Sequence, residues 1–112
     1  MRDDKLYLIH IQESIERIET YLQGHGREDF MSSTLIQDAV LRNLQTLAES
    51  TQRLPESWKE KHSEVDWFKI SGFRNVLTHD YLGIDLARVW KIIELDLPGL
   101  KCTIEEMLKE ST

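Results

Sequence analysis

The sequence predicts an all-α protein, an up-and-down bundle of four to five helices forming one domain over residues 1–112. Three observations carry that expectation. Apolar residues recur three and four apart along most of the chain, the repeat of a half-buried helix. No stretch of useful length alternates apolar and polar residues as a strand would. Glycine and proline punctuate the chain at intervals that leave room for long helices and short connectors.

The first helix is read from Leu8, Ile11, Ile15, Ile18 and Leu22, which fall on one stripe. Asp3 and Asp4 stand where the helix dipole favours acids, and Gly24-His25-Gly26 stops the pattern. A second helix is expected from about Glu28 to Leu54, with Ile36, Val40, Leu44 and Leu47 inward and Pro55 at its end. Asn43 falls inside that apolar arc, so it must be buried with a partner or face a cleft. Asp38, Arg42, Gln45 and Glu49 make the polar stripe, with Asp38 and Arg42 spaced for an ion pair.

Residues 55–66 read as a connector with one short helical turn. A third helix begins near Asp66, with Trp67, Ile70, Phe73, Val76 and Leu77 as its apolar positions, and loosens from Tyr81 to Gly83. Leu86, Val89, Trp90, Ile93, Leu97, Leu100, Ile104 and Leu108 define the last pattern. Pro98 lies inside it, so a kink or a break into two helices is expected there.

Composition narrows the functional classes. Apolar residues make up 40% and charged residues 30%, a globular profile, and no apolar run approaches the length of a membrane span. The acids and amides of the first residues are unlike a signal peptide, and the single Cys102 suits a reducing compartment, so a cytoplasmic location is expected. A net charge of −6 argues against coating nucleic acid with the whole surface. It leaves room for a local basic cleft, for which Arg42, Lys69 and Arg74 are available.

The histidines, His10, His25, His62 and His79, lack the spacing of a helical metal site, and only one thiol is present. His10, His25 and His62 are therefore expected at the surface, and neither metal nor cofactor is expected. Phosphate-cradling glycine loops, nucleophile elbows and dinucleotide fingerprints are absent.

What remains is "ISGFRNVLTHDYLGID", residues 70–85. Histidine exchanges protons near neutral pH, and arginine is a permanent cation shaped for phosphate oxygens. The two together suffice to cleave RNA without metal. Spacing opposes a simple version of this: five residues of regular helix turn the chain by about 140°, so Arg74 and His79 would point apart. They converge only if the helix unwinds near Thr78 to Asp80, or if a second subunit supplies part of the site. Asn75 and His79, four apart, share a face.

The longer run "WFKISGFRNVLTHDYLGID" resembles the HepT-like branch of the HEPN superfamily. The resemblance rests on Trp67, then Gly72, Arg74, Asn75, His79 and Tyr81, closed by Ile84 and Asp85. It extends to "DAVLRNLQTLAESTQRLP" at 38–55 and "WKIIELDLPGL" at 90–100, with Ala48 where many relatives carry glycine.

The resemblance implies an all-helical homodimer acting as the toxin of a bacterial type VII-like toxin–antitoxin pair. Its activity would be metal-independent RNA cleavage, with tRNA or mRNA as substrate. Arg74 and His79 would be the catalytic residues of a dimer cleft and Asn75 a supporting one. The partner would be an MntA-like nucleotidyltransferase antitoxin that transfers AMP to Tyr81 and thereby silences the toxin. The alternative is a non-catalytic HEPN adaptor that binds a nucleotide or a partner; a third reading is a plain structural four-helix dimer.

Overall fold

In the computed structural model of the chain, which describes residues 2–78 and 85–110, the regular structure is entirely helical. Four long rods build the body. The first is α1 (Arg2–Leu22), whose Leu8, Ile11, Ile15 and Ile18 are at most 1% exposed, as their spacing requires. It ends ahead of Gly24, whose φ of 79° is a left-handed conformation that suits glycine.

The expected second helix is two. A short α2 (Arg27–Ser32) stops at Ser33, which leaves the helical conformation and caps α3 (Thr34–Gln52) by accepting from the Ile36 N–H at 3.2 Å. Gln37 seals the joint by donating its amide to the Phe30 carbonyl at 2.8 Å. The break lets Phe30 turn into the core, fully buried, where its ring lies 5.5 Å from that of Trp90.

α3 packs most extensively on α1, and the two run antiparallel: Arg53, just beyond α3, lies over the ring of Tyr7 near the start of α1. Val40, Leu44, Leu47 and Ala48 fill this contact with no exposed surface. Asn43, 7% exposed, has the partner its burial demands, donating to the Ala39 carbonyl at 2.8 Å. The Asp38–Arg42 pair does not form; on that stripe Gln45 donates to Glu49 at 3.3 Å.

After α4 (Glu56–Lys61), a third rod comprises α5 (Trp67–Ser71) and α6 (Phe73–Thr78), joined through Gly72, and both lie against α3. The last rod runs from Leu86 to Glu110 without interruption: α7 (Leu86–Lys91), a π-helical segment (Ile92–Asp96) and α8 (Leu97–Glu110). Pro98 does not split it. The irregularity is the π segment just before the proline, where the Leu97 N–H reaches back to the Ile92 carbonyl. Widening the turn there accommodates a ring that would otherwise press on the preceding carbonyls. α7 packs on α2, while α8 lies antiparallel along α1, tied by Lys101 to Glu19 at 3.0 Å.

Candidate functional site

The expected site divides into a framework and an exposed polar face. Asp66 caps α5 by accepting from the Lys69 N–H at 3.1 Å. Trp67 is buried and donates its indole N–H to the His62 carbonyl at 2.9 Å, fixing the start of the helix to the connector. Gly72 is right-handed, so its φ does not demand glycine; a methyl there would lie 3.3 Å from the carbonyl oxygens of Phe68 and Lys69, a close approach. The Asn75 N–H closes the turn onto the Gly72 carbonyl at 2.9 Å, and Phe73 is 2% exposed.

With Phe73 held inward, the next two residues of α6, Arg74 and Asn75, are exposed. Beyond α6, Asp85 caps α7 by accepting from the Arg88 N–H at 3.2 Å. Trp67, Gly72 and Asp85 thus have structural employment, and Arg74 and Asn75 are exposed residues of the same stretch. His79, Tyr81 and Ile84 lie outside the described residues, as do the side chains of Val76 and Leu77. The convergence of Arg74 with His79 therefore stays an expectation.

Local charge is modest. The three cations available for a basic cleft, Arg42, Lys69 and Arg74, are all exposed, and Asp96 engages Lys69 at 3.2 Å. Beside this region Phe68 is 91% exposed and Leu95 73% exposed, neighbours in sequence of the two residues in that ion pair. Neither was singled out from the sequence, because each continues an ordinary helical pattern and only the packed structure shows it facing out.

The expectation for His62 is overturned. His62 is not a surface histidine: it is 7% exposed, with Nε2 2.9 Å from Glu110 and Nδ1 3.4 Å from Glu64. Glu110, by accepting from the ring, holds the imidazole pKa above its ordinary value against the opposing effect of burial. The stability from these contacts is full below the unfolded value of 6.5 and is lost as pH rises through the folded one. The Glu64 carboxyl is held below its usual range, first by its own backbone N–H and further by the Thr103 hydroxyl. No sequence signal marked this cluster, because its members are 2 to 48 residues apart.

No helix is long and apolar enough to cross a membrane among the described residues. The family described as "Ribonuclease HepT-like" matches residues 11–107. A protein of Methanocaldococcus jannaschii named "Gamma-glutamylcyclotransferase and putative RNase" is 39% identical over 96% of the chain, which spans about half the relative's length, 47%. A "Putative RNase" of Caldanaerobacter subterraneus is 32% identical over 98% of both proteins. "Probable ribonuclease HepT" of Thermococcus cleftensis is 35% identical over 96% of the chain and 98% of its own length. No solved structure gives a significant match.

Proposed function

The chain belongs to the HepT-like ribonuclease family, and from that premise we propose that it is a metal-independent RNA-cleaving toxin of a toxin–antitoxin pair. The observation that carries the reading is the exposed Arg74 and Asn75 on α6, a short helix anchored ahead of them by buried Trp67 and Phe73. Such a mounting holds a guanidinium against a substrate rather than in a core.

In this mechanism His79 accepts the proton of a ribose 2′-hydroxyl as its oxygen attacks the adjacent phosphorus. The 5′-oxygen of the next nucleotide leaves and takes up a proton, giving a 2′,3′-cyclic phosphate end. Arg74 neutralises the charge that builds on the phosphoryl oxygens, and Asn75 orients His79 or the substrate. The site is completed in a cytoplasmic homodimer, in which two-fold symmetry brings two copies of α6 together. Exposed Phe68, one turn before Gly72, and Leu95 offer apolar surface suited to burial between the copies. An MntA-like nucleotidyltransferase antitoxin would silence the enzyme by placing AMP on Tyr81, whose added phosphate repels RNA phosphate.

Purified protein is expected to cleave RNA in the presence of a chelator, and His79→Ala to abolish cleavage while leaving the helical circular-dichroism signal unchanged. RNA cleavage by that variant at the wild-type rate would remove His79 from the chemistry. The adaptor reading draws on the charge of −6 and the engagement of Lys69 by Asp96. It predicts binding of RNA or nucleotide with no cleavage by the wild type.

A further inference from the structure

The geometry points to a divalent transition-metal site of the zinc type formed by His62, Glu64 and Glu106, clamping the connector between α4 and α5 to α8. One ligand atom from each of these residues lies within 4.8 Å of the others. They come from two separate pieces of chain. His62 and Glu64 follow α4, while Glu106 shares with Thr103 and Glu110, at spacings of three and four, the face of α8 turned to the connector.

The surroundings resemble a built site more than an accidental cluster of acids. The imidazole is buried, and its backbone carbonyl is anchored by the Trp67 indole at 2.9 Å. Glu110 stands 2.9 Å from Nε2, the position from which a carboxylate orients a metal-bound histidine. That contact assigns the ring N–H to Nε2 and leaves the Nδ1 lone pair facing Glu64 at 3.4 Å, too long and too electron-rich for a good neutral hydrogen bond. Thr103 donates to Glu64 at 3.1 Å and so positions the carboxylate that faces Nδ1.

A lone pair facing carboxylates requires a cation between them, either a proton on Nδ1 or a metal ion. Ligand atoms about 2.0–2.2 Å from zinc stand roughly 3.4 Å apart in a tetrahedron, so exposed Glu64 and Glu106 need move inward by about 1 Å. Two carboxylates balance a dication, water fills the fourth position, and the imidazole selects zinc-like ions over magnesium or calcium. The role is structural. Arg74 belongs to another element, and the proposed RNA cleavage needs no metal, so this inference stands or falls separately from that one.

Chelator-treated, tag-free full chain titrated with Zn2+ at pH 7.5 against a chromophoric competitor is expected to bind one ion per chain and to melt at a higher temperature. His62→Gln can fail to fold, so the decisive variant is Glu106→Gln, which leaves both His62 contacts in place. It should melt like the wild type in chelator and lose at least about tenfold in zinc affinity. Absence of stoichiometric binding would show that a proton is the only cation held there. Equal zinc binding by the variant would place the ion elsewhere and overturn the assignment.

Discussion

Leu44 and Trp67 show how differently two buried side chains support the same scaffold. Leu44 has no exposed surface and no polar duty, so Leu44→Ala should cost about 2–5 kcal/mol in denaturant unfolding through lost burial and the cavity left behind. Trp67→Phe keeps most of the volume but removes the donor to the His62 carbonyl, an expected loss of about 1–3 kcal/mol. At this scale the sequence was informative wherever burial follows from spacing: Leu8, Ile11, Val40 and Ile104 are all fully buried. Asn43 was equally legible, since an amide in an apolar stripe must find a partner. His62 was not, because its burial depends on α8 arriving from the far end of the chain.

Helix ends are where the elements departed from expectation. The apolar positions of the expected helix begin at Ile36, beyond Ser33, so the split between α2 and α3 goes unmarked in the repeat and is set by one hydroxyl that caps better than it continues a helix. Asp85 does the same for α7, at the end of the proposed catalytic motif. Asp85→Ala should destabilise by about 1 kcal/mol, read as a lowered unfolding midpoint, and Asp85→Ser should recover most of it. The expected loosening after Thr78 falls outside the described residues, so the half of the site that carries His79 and Tyr81 was legible only as a motif. Arg74 and Asn75 were legible as positions, but their outward orientation is set by Phe73 packing inward.

At the scale of the whole molecule, the proposed site is shared between copies, and mixed variants test the sharing. Arg74→Ala and His79→Ala are each expected to be inactive. Re-equilibrated in equal amounts, they should regain about a quarter of wild-type RNA cleavage, since half the dimers are mixed and one of their two sites is whole. No recovery would mean that Arg74 and His79 act within one copy. The last rod raises a different consequence. Its π segment separates two halves that answer to different neighbours, α7 to α2 and α8 to α1. Five residues at the π pitch turn the chain about as far as four at the α pitch, so the segment takes up one extra residue while the faces on either side stay in phase. Deleting a residue between Ile92 and Asp96 is therefore expected to keep Leu100 and Ile104 on α1 and Thr103, Glu106 and Glu110 toward the connector, whereas a deletion within α8 turns all that follows by about 100°. The rod thus carries slack at one place, and a change in its length is mild there and harsh in the regular helix beyond.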